Sequence, residues 1–185
     1  MEKNSNLNLI LTLTTIGIVS ALLLTFVFEW TSPYIAANEA KTRRNAINEV
    51  LPGAERVEDV EIDGEIFYEA YDSQGSKIGV ATQHSGPGYN GMINVMVGVD
   101  LENQEILNIS IVGHEETPGL GVRITEEPYK SNYQNKPFGD YIGVKTEPSD
   151  PMEVQTIAGA TISSKAVMRI IENAVEKINT VYGGR

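Results

Sequence analysis

Apolar residues follow three different rhythms along this chain. From Leu7 to Phe28 they are nearly continuous: LNLILTLTTIGIVSALLLTFVF carries no formal charge, and its polar members are Asn8, Gly17 and hydroxyls. A helix of this length spans roughly 33 Å, enough for a bilayer core. Ser and Thr side chains can bond back to helix carbonyls, and Trp30 and Tyr34 follow as an interfacial aromatic belt would. A cleaved signal peptide would have a shorter apolar core, about 7–15 residues, and a clear small-residue cleavage site. Ala36-Ala37 is only a weak candidate for one, so the stretch predicts an uncleaved anchor. The flanking count sets Lys3 against Lys41, Arg43 and Arg44, which taken alone favours a cytoplasmic domain.

The second rhythm is helical. Residues 35–51 place Ala36, Ala40, Ile47 and Leu51 near one stripe, with Pro52-Gly53 ending the run. From Ser163 to Tyr182 the pattern is cleaner, with Ala166, Val167, Ile170, Ile171, Ala174, Val175, Ile178 and Val181 on one face before Gly183-Gly184. The third rhythm is that of strands. Glu65–Tyr71 and Lys77–Gln83, joined by Asp72-Ser73-Gln74-Gly75, predict one hairpin; Met92–Val99 and Glu105–Val112, joined by 100–104, predict another. Ile106 spoils strict alternation in the last of these. The Gly-rich stretch Ser85–Gly91 is expected as a loop between the hairpins, 113–121 as a second loop, and 122–137 as a mixed segment with a short helix. Asp140–Lys145 and Met152–Ile157 can each add a strand. The expected organisation is a tail (1–6), a transmembrane helix (7–28), a stalk helix (29–53) and an α+β domain (54–185) of antiparallel strands packed with helices.

Composition narrows the chemistry. The 185 residues include no cysteine, so thiolate-held iron–sulfur clusters, disulfides and thiol nucleophiles are excluded. Two histidines, His84 and His114, make a His-rich metal site improbable. The net charge of −11 lies entirely beyond residue 28 and argues against nucleic-acid binding.

Several motifs fail on context. Gly86-Pro87-Gly88-Tyr89-Asn90-Gly91 spells G-x-G-x-x-G, yet a strand pattern rather than a helix follows it, which rules out a dinucleotide fingerprint. His114-Glu115-Glu116-Thr117-Pro118 has proline where a zincin needs its second histidine. Adjacent carboxylates seldom converge on one atom, so Glu115 and Glu116 are expected in a solvated acidic loop. The loop GHEETPGLG joins the freedom of its glycines to the fixed φ of Pro118, so it can present N–H groups and the Thr117 hydroxyl to a flat ligand, or form a tight turn without one.

The strongest signal is Val154–Ser164. Ala158, Gly159 and Ala160 leave room for a bulky group, and Thr161 falls where a helix starts, with free N–H groups and a positive end that favour a phosphate. The plainer reading is that Thr161 or Ser163 is an N-cap. A threonine hydroxyl is a poor nucleophile without a base and no histidine lies nearby in sequence, so covalent modification requires a separate enzyme.

Gly88-Tyr89-Asn90-Gly91, Glu116-Thr117-Pro118-Gly119-Leu120-Gly121 and Gly159-Ala160-Thr161 before a terminal helix, behind one anchor, together resemble the FMN-binding domain family. Within it the likeness is greatest to the G subunits of Rnf-type ion-translocating ferredoxin:NAD+ oxidoreductases, which are related to the C subunit of the Na+-translocating NADH:quinone reductase. The resemblance implies FMN joined by a flavin transferase, through its phosphate, to the last threonine of D-x-x-[S/T]-G-A-T, here Thr161. It implies that Glu116, Thr117, Gly119, Leu120 and Gly121 lie along the flavin, and it makes Tyr89, Ala158, Gly159, Ala160 and Ser163 further candidate contacts. Gln155 and Ala158 depart from that signature. The implied protein is a single-pass electron carrier of the cell membrane with its domain on the outer face. It works among other membrane subunits of a complex that moves Na+ or H+. A cofactor-free membrane-anchored binding or assembly module, or another redox or regulatory member of the family, is the alternative.

Overall fold

Residues 3–183 are described by a computed structural model. Met1 and Glu2 of the expected tail, Gly184 of the expected helix stop and Arg185 at the end of the expected domain lie outside it. By contact density the chain divides into two units, Met1–Thr42 and Arg43–Arg185.

One helix, α1 (Lys3–Val50), passes from the first unit into the second, so the apolar stretch, the expected stalk and residues 3–6 share a single helix. Pro33 lies within it. In the first unit the large apolar side chains from Leu7 to Phe28 are exposed, and the most apolar window has a mean hydropathy of 2.3. By length and composition this helix can cross a membrane. Three of its hydroxyls are internally satisfied: Thr12, Thr15 and Thr25 each donate to the carbonyl four residues back at 2.8–2.9 Å.

The second unit is built on an antiparallel sheet in the order β1 (Arg56–Ile62), β2 (Glu65–Tyr71), β3 (Lys77–Pro87), β4 (Met92–Asp100), β5 (Glu105–His114), β6 (Lys136–Pro137). Both predicted hairpins are present. The segment Ser85–Gly91 is mostly not a loop: β3 continues to Pro87 opposite β4, and only Gly88–Gly91 turns, closed by Gly88 N–H on the Gly91 carbonyl at 2.7 Å. Likewise Gly113 and His114 belong to β5, so the following loop starts at Glu115.

Strand β1 was not foreseen. Its sequence RVEDVEI is dominated by charge, and it forms a solvated sheet edge, where charge discourages edge-to-edge pairing. Its signal was the turn Asp63-Gly64, which has positive φ at both residues (53° and 79°), as a two-residue hairpin requires. The broken alternation in β5 is a bulge. Gly98 faces Asn108 while Val99 faces Ile106, so Leu107 is the extra residue and the inward phase shifts between Ile106 and Ile109.

Segment 121–133 forms a 3-10 turn (Gly121–Thr125), a short helix α2 (Glu127–Lys130) and a second 3-10 turn (Ser131–Tyr133). The last two strands, β7 (Ile142–Val144) and β8 (Glu153–Gln155), fall within the expected segments but form a parallel pair of their own. Helix α3 (Thr161–Tyr182) starts two residues before the predicted run.

The sheet is buried on both faces, which is why β4 reads as an unbroken apolar run. Ile93, Val95, Val97 and Val99 meet Val167, Ile170, Ile171 and Ile178 of α3 in the larger core. Met96, with Tyr68, Ala70 and Ala81 from neighbouring strands, meets Ala46, Val50 and Leu51 on the opposite face. Fully burying an aliphatic side chain of this kind contributes about 1.5–3 kcal/mol.

Glu49 fastens the end of α1 to this second face. Its carboxylate pairs with Lys130 and accepts from Ser110 Oγ at 2.6 Å, and its carbonyl accepts from Asn108 Nδ2 at 3.1 Å. Burial of Lys130 works against its charge, but Glu49 and Glu127 outweigh burial and raise its pKa. A lysine whose folded pKa exceeds its unfolded one contributes fully below the unfolded value and loses that contribution as pH rises through the folded one. The Lys130 charge therefore persists at neutral pH and is lost only in strong alkali. Glu49→Ala orphans the buried Ser110 hydroxyl. With Glu49 about a third exposed and so partly screened, it is expected to destabilise the second unit by about 1–2 kcal/mol. Denaturant unfolding of the full chain in detergent, followed at the domain's tyrosines, measures the loss.

Candidate functional site

Three short segments converge at one end of the sheet: the β3–β4 turn Gly88–Gly91, the loop 115–121 after β5, and the turn 158–160 leading into α3. They enclose a cleft of about 350 Å3. Tyr89, Glu116, Thr117, Leu120, Gly121, Gly159, Ala160, Thr161 and Ser163 line it. The structure thus brings together every candidate position except Gly119 and Ala158. Gly119 shapes the turn at φ 77°, and Ala158 lines a separate hollow of about 280 Å3 with Gln155, Arg123 and Lys145. Ile162 is an additional lining residue that sequence reasoning missed. Its signal was available, because it is apolar yet lies off the buried stripe of α3, and it is 55% exposed.

Glu116 joins the three segments. Its side chain is buried, at 5% exposure, so the expectation of a solvated acidic loop fails for this residue, though it holds for Glu115. One carboxylate oxygen accepts the Tyr89 N–H at 2.6 Å and the other accepts the Ser163 hydroxyl at 2.9 Å. A buried carboxylate is tolerable only with such partners. Gly88 and Gly121 both press on its carboxylate where a Cβ would collide, which explains a glycine in each segment. The backbone beside it is also tied, since Asn90 Nδ2 donates to the Glu115 carbonyl at 2.7 Å.

The start of α3 is equally constrained. Gly159 holds φ 83°, a conformation L side chains rarely adopt, and its α-carbon faces Leu120 of the neighbouring loop. Ser164 is wholly buried. Its hydroxyl accepts the Ile157 N–H and donates to the Ala160 carbonyl, both at 3.0 Å, while its carbonyl accepts the Tyr129 phenol at 3.0 Å. Burial, the leading cause, pushes that phenol well above its ordinary pKa, so it stays a donor at physiological pH.

The N-cap reading fails. Ala160 occupies the cap position with no side-chain bond, Thr161 is already the first helical residue, and Ser163 donates to Glu116. The first N–H groups of α3 therefore have neither an intrahelical acceptor nor a side-chain cap, and the residues that carry them, 161–163, line the cleft. Of the four nearby hydroxyls, Thr156 donates to the Val144 carbonyl at 2.9 Å, and Ser163 and Ser164 are bonded as described; all three are buried. Thr161, by contrast, is partly exposed and makes no side-chain hydrogen bond among the described residues. The strand on each side of the Gly88–Gly91 turn also excludes a dinucleotide fingerprint there.

Comparison with known proteins fits this geometry. The FMN-binding domain family matches residues 88–176, which include all three segments. The chain is 30% identical to the G subunit of the ion-translocating oxidoreductase complex of Methanosarcina acetivorans, over 94% of this chain and 95% of that one. It is 27% identical to the G subunit of the proton-translocating ferredoxin:NAD(+) oxidoreductase complex of Clostridium ljungdahlii, covering 100% and 97%. In structure it resembles NqrC of Shewanella oneidensis, with a TM-score of 0.58 and 21% identity over 71% of each chain, a likeness of fold.

A Cβ at Gly121 would press on the Glu116 carboxylate and side-chain stem. Gly121→Ala is expected to force the loop outward and destabilise the domain by about 1–3 kcal/mol, read as a lowered unfolding midpoint in denaturant.

Proposed function

The chain belongs to the family of G subunits of ion-translocating oxidoreductase complexes, and on that premise we propose that it is a membrane-anchored flavoprotein electron carrier with FMN joined through a phosphoester to Thr161. The observation that carries the linkage is the Thr161 hydroxyl: partly exposed, unengaged, lining the cleft, and placed at the free N-terminal turn of α3. Free N–H groups and the helix dipole favour a phosphate at that point. The cleft is at the lower end of the range for small-molecule sites and opens between Tyr89, Leu120 and Ile162, so it suits a flat ring seated against apolar walls.

FMN supplies one- and two-electron chemistry to such a site. The chain's own residues provide the attachment point, the ring's walls and the electrostatic setting. The complex is of the Rnf type, a ferredoxin:NAD+ oxidoreductase that couples electron transfer to movement of Na+ or H+, and the other membrane subunits are this chain's partners. A flavin transferase completes maturation, since among the described residues no hydrogen bond to a base activates the Thr161 hydroxyl. Residues 7–28 span the cell membrane once, 29–53 form the stalk, and 54–185 carry the flavin on the extracytoplasmic side.

Two substitutions test the linkage. Thr161→Ala is expected to abolish flavin that survives denaturation while the domain stays folded, read by fluorescence and intact mass after co-expression with the transferase. Retained attachment would move the site to Thr156, Ser163 or Ser164, each buried at present. Gln155 is exposed and shares its hollow with Arg123 and Lys145, so Gln155→Asp gains cationic neighbours as well as the family's carboxylate. It is expected to raise the modified fraction, and an unchanged fraction would mean that the transferase does not read this position.

A further inference from the structure

We propose that the buried Glu116 carboxylate holds down the reduction potential of the flavin seated in the cleft, an assignment that rests on the cofactor reading above. Glu116 is the one charged residue among those lining the cleft. The cations Lys165 and Arg169 line a neighbouring hollow on the far side of Ile162, and Arg123 and Lys145 line another. No lysine or arginine forms a salt bridge with Glu116 among the described residues.

The charge is fixed in place. Both oxygens act as acceptors, one from Tyr89 N–H and one from Ser163 Oγ. Gly88 and Gly121 close over it, so it cannot swing out to solvent. At 5% exposure, water and salt screen it poorly.

A neutral oxidised isoalloxazine seated there would carry a net charge of −1 after gaining two electrons and one proton. A fixed negative charge lining the same cleft would disfavour that product. At an effective dielectric of about 20, a unit charge within roughly 10 Å would shift such an equilibrium tenfold or more. The N-terminus of α3 acts in the opposite sense, with roughly half a positive charge, and Glu116 is bonded to Ser163 in that same first turn. The full carboxylate charge outweighs the half charge of the helix end, and the balance is a carrier that releases its electrons readily.

The test is a redox titration of the full-length, flavin-loaded chain in detergent, with dithionite as reductant. Glu116→Gln is nearly isosteric. Its amide oxygen can still accept from Tyr89 N–H, and its amino group can donate to the Ser163 hydroxyl oxygen. The expected result is a potential raised by at least a tenfold shift in the two-electron equilibrium, about 30 mV. Ser163→Ala breaks the same hydrogen-bond network but keeps the charge, and its potential is expected not to rise. Should Glu116→Gln fail to fold, Glu116→Met, which removes the charge at similar length and keeps a weak acceptor, takes its place and must raise the potential. Equal potentials in wild type and the charge-removing variant, or an equal rise in Ser163→Ala, would each overturn the assignment. A wild-type chain without covalent flavin would overturn the cofactor reading and this inference with it, whereas loaded proteins of equal potential overturn only the inference.

Discussion

The cleft depends on a single buried carboxylate. Glu116 takes one hydrogen bond from the β3–β4 turn and one from the first turn of α3, while its own loop follows β5. Three segments far apart in sequence therefore share one acceptor group. An unpaired buried charge carries a penalty large enough that none of the three can drift away independently. The glycines nearest to it make the same point sterically, since any side chain at position 88 or 121 would displace the group that the others hold. What reads in sequence as a flexible, ligand-friendly loop is a joint under tight constraint.

That joint explains why one hydroxyl is left available. Val154–Ser164 contains four candidate hydroxyls, and the fold uses three of them internally. Thr156 completes the β7–β8 pairing, Ser163 satisfies Glu116, and Ser164 ties Ile157 to the start of the helix. Each is buried and each would leave an unsatisfied group if modified. Thr161 has no such duty. Its availability follows from the distribution of structural work among its neighbours as much as from its own position at the helix end.

Much of this was legible in the sequence. The terminal helix and both central hairpins have strong periodicity, and packing followed it; the long apolar run was legible by its continuity instead. The missing strand β1 shows the limit of that signal: at a solvated edge the charged side chains erase the alternation, leaving only Asp63-Gly64 to announce a hairpin. The parallel β7–β8 pair was hidden because three-residue strands carry too little pattern to reveal their direction. Glu116 was legible as a member of a motif but not as a buried residue. Its burial arises from partners 27 and 47 positions away, and no local property of GHEETPGLG encodes them.

The openness of the cleft would give the proposed tether its purpose. Tyr89, Leu120 and Ile162 are 49–66% exposed, and among the described residues no cation lines the cleft to meet a phosphate. A freely diffusing flavin nucleotide would gain a helix end and some apolar area, against the repulsion of Glu116. The proposed covalent attachment would replace that encounter with an intramolecular one at a high effective concentration, so the ring could remain seated without a deep pocket. A shallow seat leaves more of the ring within reach of other redox groups. Weak non-covalent binding and good electronic access are thus two results of the same geometry, and the phosphoester proposed at Thr161 would make them compatible.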